Sequence, residues 1–135
     1  MACGIASIVK ALRPSVRVYA AEASTAAPLA ASLKAGAPQV IDYRPSFVDG
    51  IGSKTVFPGM LAEAQQLLDG SIVSTLDEIA FALKLVAERN RVIAEGAAAC
   101  AVAAALSLKG KIVAIVSGGN IDLKKFIELV GGHSI

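Results

Sequence analysis

Apolar and polar positions follow one another in blocks whose spacing changes along the chain. Residues 4–12 place Ile5, Ile8, Val9 and Leu12 at helical intervals, and Pro14 ends that run. Residues 16–21 predict a strand, and residues 25–35 an alanine-rich helix closed by Gly36. A short strand at 40–42 gives way to an irregular loop over 43–56, which contains Asp49-Gly50 and Gly52. Pro58 opens a helix over 59–68, and 71–74 reads as a strand. Thr75 and Glu78 have the spacing of a capping box. The helix that follows carries Ile79, Leu83, Val86 and Ala87 on one face and runs to about Arg89. After a break at 91–94, residues 94–108 form a helix apolar on every face, which predicts burial. Lys109-Gly110 closes it, and a last helix spans 122–130. Strands alternating with helices predict an α/β fold with a parallel sheet and flanking helices, in a single domain over 1–135.

Between the last two helices, Lys111-Ile112-Val113-Ala114-Ile115-Val116 is a mostly β-branched run, expected to be a strand covered on both faces. It leads directly into Ser117-Gly118-Gly119-Asn120. Open α/β sheets bind ligands at the carboxyl ends of their strands. Two glycines there allow close backbone approach, while Ser117 offers a hydroxyl and Asn120 an amide. The plainer reading is a strand-to-helix turn in which Asn120 caps the last helix.

Composition narrows the functional classes. With 135 residues, 55% of them hydrophobic, the chain can bury a core. A formal charge of +2 with scattered basic residues gives no footprint for nucleic acid. Cys3 and Cys100 sit in apolar surroundings and read as buried thiols of a reducing, cytoplasmic protein. A single histidine, His133, leaves little material for a zinc cluster or a serine–histidine triad. No secretory leader is evident, and the apolar helix at 94–108 is too short to span a membrane. A Rossmann-like nucleotide site is poorly supported, because the glycine pair lacks the six-residue phosphate fingerprint.

Taken in order, four motifs resemble the C-terminal part of the catalytic region of pyridoxal-phosphate-dependent serine/threonine dehydratases and serine racemases, in the tryptophan synthase beta superfamily. Residues 4–22 look like the helix and strand after that family's glycine-rich phosphate loop, and Asp49-Gly50 resembles its acidic-Gly pair. Val73-Ser74-Thr75-Leu76-Asp77-Glu78-Ile79 and Ala94-Glu95-Gly96-Ala97-Ala98-Ala99 are similar to later signatures, and Ser117-Gly118-Gly119-Asn120 to the closing motif. The resemblance implies that Ser117 hydrogen-bonds the cofactor's pyridine nitrogen. Gly118, Gly119 and Asn120 would line the ring's edge, with Gly50 and Glu95 nearby. A neutral hydroxyl at the nitrogen tunes the cofactor toward β-elimination. The racemase-like branch holds a divalent cation with a glutamate, a backbone carbonyl and an aspartate. Glu22 and the carbonyl of Ala26 match, but Pro28 stands at the aspartate position, which weakens that site.

The departures shape the functional expectation. No lysine here carries the Schiff-base motif, and Met1-Ala2-Cys3 stands where the phosphate loop would end. The chain is therefore expected to be part of a lyase that converts L-threonine or L-serine to a 2-oxo acid and ammonia, inactive and without bound pyridoxal phosphate on its own. Serine, threonine and hydroxyaspartate all remain open as substrates. The alternatives are a stand-alone α/β binding or interaction module and a serine racemase-type isomerase fragment. The apolar helix at 94–108 further predicts a homo-oligomer.

Overall fold

The computed structural model describes residues 1–132. His133, invoked above, lies outside them. Six helices surround a two-stranded parallel sheet among these residues: α1 (Ala2–Leu12), β1 (Ala20–Ala23), α2 (Pro28–Ala35), α3 (Pro58–Leu67), β2 (Ser71–Ser74), α4 (Leu76–Asn90), α5 (Gly96–Leu106) and α6 (Leu123–Gly131). A single 3-10 turn at Asp49–Ile51 interrupts the long loop before α3. In the sheet Ala20 lies opposite Ser71 and Ala23 opposite Ser74.

Helix ends fall where local chemistry sets them. Pro28 and Pro58 occupy the first turns of α2 and α3, where a missing N–H leaves nothing unpaired. Gly36 ends α2 with φ +73°, a conformation that favours glycine. Thr75 caps α4 in both directions: its hydroxyl accepts the Glu78 N–H (3.2 Å), and its own N–H donates to the Glu78 carboxylate (2.7 Å).

That box supplies a testable pH dependence. The Thr75 backbone N–H, and after it the hydroxyl, hold the Glu78 carboxyl below its ordinary value. A depressed folded value means the contribution is full above about 4.5 and is lost as pH falls through the folded value. Thr75→Ala should lower stability by about 1 kcal/mol at neutral pH. The deficit should shrink in part in acid, where protonation of Glu78 weakens the bond it accepts from the Thr75 hydroxyl while that hydroxyl still accepts the Glu78 N–H, as urea unfolding at both pH values would read.

The core lies where α4 and α5 pack on each other and on the sheet. Ile79, Leu83 and Val86 point inward from α4 as their spacing predicts, and Ala98, Ala99, Cys100 and Ala103 meet them from α5. Alanines on α5 let helix and sheet backbones approach closely, and Val48 and Phe126 belong to the same buried cluster. Both cysteines are buried and unpaired. Burial, with Glu22 nearby, pushes the Cys100 thiol up to about 12.

Several elements differ from expectation. The first strand starts at Ala20, not at residue 16, because Val18 is held by Asp69: its N–H donates to the Asp69 carboxylate and its carbonyl accepts the Asp69 N–H, both at 2.8 Å. Lys10 joins that carboxylate at 2.7 Å. Ser24 and Thr25 form a tight turn closed by the Ala26 N–H on the Ala23 carbonyl (2.8 Å), so α2 begins only at Pro28. Residues 40–42 form no strand, since Ile41 makes only one bond across, to the Lys54 carbonyl. The apolar helix begins at Gly96, with Ala94 and Glu95 leading in.

The largest correction concerns residues 111–116. They are not a strand among the described residues, and they are not buried: Val113 is 85% exposed, and Ile112, Ile115 and Val116 are exposed as well. The run has the right side chains, but no strand among the described residues pairs with it. No helix among the described residues is long and apolar enough to cross a membrane.

Candidate functional site

The site forms where the chain leaving α4 meets the loop before α6. Arg91 turns the chain out of α4 with φ +60°, its N–H returning to the Ala87 carbonyl. The following segment then runs beside the Ser117-Gly118-Gly119-Asn120 loop. The Glu95 N–H donates to the Gly118 carbonyl at 3.1 Å. A Cβ on Gly119 would lie 2.7 Å from the Ile93 carbonyl oxygen, so the two backbones touch there.

Glu95 is the N-cap residue of α5, yet its side chain accepts no capping bond. Its carboxylate lies against Gly118, where any side chain would collide with it, Oε1 foremost. The same carboxylate faces Gly50, whose Cβ position is 3.8 Å away and also 3.1 Å from the Cβ of Ala97. Three positions singled out in the sequence, Gly50, Glu95 and Gly118, therefore converge. Of these, Glu95 lines an open cleft of about 430 Å³, with Asn120, Ser46, Phe47, Asp49 and Lys125, while Gly50, Ser117, Gly118 and Gly119 are not among its lining residues. Two carboxylates, one ammonium and one amide thus face a single concavity.

Asn120 does not cap the last helix. Asp122 does, through a bond from the Lys125 N–H (3.0 Å), while the Gly119 carbonyl accepts the Ile121 N–H. Ser117 is exposed at the mouth of the loop, and its hydroxyl makes no hydrogen bond among the described residues. Gly119 is exposed beside it.

Sequence reasoning missed Lys125, Ser46 and Phe47. Side chains in a helix's first turn lean back toward its N-terminus, so a lysine three residues past Asp122 was the available signal. Nothing periodic marks Ser46 and Phe47. Ser46 is fixed by the Val48 N–H (3.2 Å) and the Thr25 hydroxyl (3.3 Å), contacts invisible in sequence.

Glu22 and Ala26 lie elsewhere, at the carboxyl end of β1. The Glu22 carboxylate accepts the Leu29 N–H on Oε1 (2.8 Å), and the Ala30 N–H (2.7 Å) and Ser71 hydroxyl (2.6 Å) on Oε2. Among the described residues no group of three or more His, Cys, Asp or Glu side chains is placed to hold a metal ion. These residues do not fit a cation.

The residues do fit one wall of a pyridoxal-phosphate pocket. The exposed Ser117 hydroxyl precedes a glycine pair whose backbone is pinned at Gly118, and Glu95 and Asn120 line the adjoining cleft. Lys10, Lys34 and Lys84 stand on α1, α2 and α4, and none of them lines the cleft.

Comparison with known proteins identifies the family. A family model described as pyridoxal-phosphate dependent enzyme matches residues 1–118. The L-threonine ammonia-lyase of Thermotoga maritima is 35% identical over 133 residues, covering 94% of this chain and 33% of that protein. Human serine racemase is 37% identical over 139 residues, covering 96% of this chain and 41% of that protein. The structure of the processed form of threonine deaminase isoform 2 from Solanum lycopersicum superposes with a TM-score of 0.89 at 29% identity, over 98% of this chain and 41% of that one. The chain thus spans about a third to two fifths of the relatives' length.

Proposed function

Because the chain belongs to the pyridoxal-phosphate-dependent enzyme family, we propose that it forms one wall of the cofactor pocket of a serine/threonine dehydratase, an ammonia-lyase acting on L-threonine or L-serine. The unpartnered Ser117 hydroxyl beside the pinned Gly118 backbone is the observation that carries this reading. Threonine ammonia-lyase and dehydratase relatives support the lyase chemistry. When bound, pyridoxal phosphate supplies the electron sink for elimination. Ser117 would donate to the ring nitrogen and leave it unprotonated. Gly118 and Gly119 would present bare backbone to the ring's edge, and Glu95 would hold Gly118 in place through its N–H.

By itself the chain is proposed to be inactive. Lys10, on α1, is ion-paired with Asp69, and no lysine here carries the Schiff-base motif. Incubating it with pyridoxal phosphate and L-threonine should yield no 2-oxo acid; formation at enzyme-like rates would overturn the reading. When the preceding portion of a relative is supplied, Ser117→Ala should lower turnover or cofactor affinity by up to roughly tenfold, the worth of one hydrogen bond. Unchanged kinetics and affinity would remove Ser117 from the role. The buried, unpaired cysteines support a cytoplasmic setting. Exposed Ile112, Val113, Ile115 and Val116 support a homo-oligomer, and sedimentation should show a species heavier than one chain.

A further inference from the structure

We propose that Glu22 and Ser71 form a metal-free clamp that fixes the joint between β1, α2 and β2, at the place where a divalent cation would be expected from the resemblance to the racemase-like branch. Glu22 and Ser71 stand on the same face of the parallel pair as diagonal neighbours, since Glu22 lies opposite Val73 and Ser71 opposite Ala20. Three donors converge on the buried carboxylate: the Leu29 and Ala30 N–H groups of the first turn of α2, and the Ser71 hydroxyl. A carboxylate has about four acceptor positions, so little remains for a metal.

The donors matter as much as their number. Helix N–H groups aimed at the carboxylate make the spot electropositive, which attracts an anion and repels a cation. A divalent cation also needs about six or more oxygen ligands. Pro28, buried at the first position of α2, contributes no side-chain oxygen. Its fixed φ instead starts the helix that aims the two N–H groups at Glu22. The residue that removes a metal ligand is therefore part of the device that takes its place.

Thermal unfolding of the whole chain, with chelator and with millimolar Mg²⁺, Ca²⁺ or Mn²⁺, tests the clamp. The wild-type midpoint should be the same in every condition. Glu22→Gln should lower it by roughly 5–10 °C, equally with chelator and with metal. Ser71→Ala, which keeps the carboxylate and its helix donors, should lower it by a smaller and equally metal-independent amount, and it serves if Glu22→Gln does not fold. A fall in the wild-type midpoint on chelation would overturn the proposal. So would saturable Mn²⁺ binding, read by electron paramagnetic resonance, that is present in the wild type and lost in Glu22→Gln.

Discussion

Leu83→Ala is expected to remove about 2–5 kcal/mol of folding stability, in the upper half of that range. Leu83 is fully buried on the inward face of α4, in a core cluster rich in alanine, much of it from α5. An alanine has no rotamer with which to swing into a vacated space, so the cavity would stay largely open and its lining would lose its contacts. Total stabilities run at about 5–15 kcal/mol, and such a loss would leave much of the chain unfolded near physiological temperature. Ile79→Val, one methyl smaller at an equally buried site of the same face, should cost only about 0.5–1.5 kcal/mol. Urea unfolding of both variants reads the contrast. A Leu83→Ala loss under about 1 kcal/mol would mean that α4 and α5 do not pack through this side chain.

Elements whose signal is local were legible in the sequence. Thr75 with Glu78, Pro58 at a helix start and Gly36 past a helix end each act through groups within four residues, so reading the string was enough to place them. Residues 111–116 show the opposite case. Their β-branched run states what the side chains favour, but a strand also needs a partner, and the partner's identity is not written in the run itself. The start of β1 moved for a similar reason, since Asp69, some fifty positions away, holds Val18 ahead of the ladder. At the site, the matched motifs named Gly50, Glu95, Gly118 and Asn120, and the fold brings them together. Lys125 and Ser46 reach the cleft through a helix start and a loop anchored on Thr25, neither of which leaves a motif.

Gly96→Ala and Gly118→Ala should separate two kinds of crowding on either side of Glu95. A Cβ on Gly96 would strike the Phe47 backbone: the carbonyl carbon would lie 3.1 Å away and the ring Cδ2 2.8 Å away, with the carbonyl oxygen closer still. That backbone has little room to yield. The Ser46 hydroxyl holds the Val48 N–H, and the Arg44 N–H is bonded to the Thr25 carbonyl at 3.0 Å. Alanine's better helix propensity offsets at most about 1 kcal/mol. Forced overpacking against a fixed backbone costs about 1–3 kcal/mol or more, so Gly96→Ala should be destabilising on balance. A Cβ on Gly118 meets instead the end of the flexible Glu95 side chain. That carboxylate can swing away, so stability should change by less than about 1 kcal/mol, while the acid leaves its place against the loop. Gly118 is not held at positive φ, so the substitution adds no backbone strain. Urea unfolding of both variants distinguishes the cases. A wild-type midpoint for Gly96→Ala would show that the Phe47 segment gives way, and that the floor of the cleft is softer than its hydrogen bonds indicate.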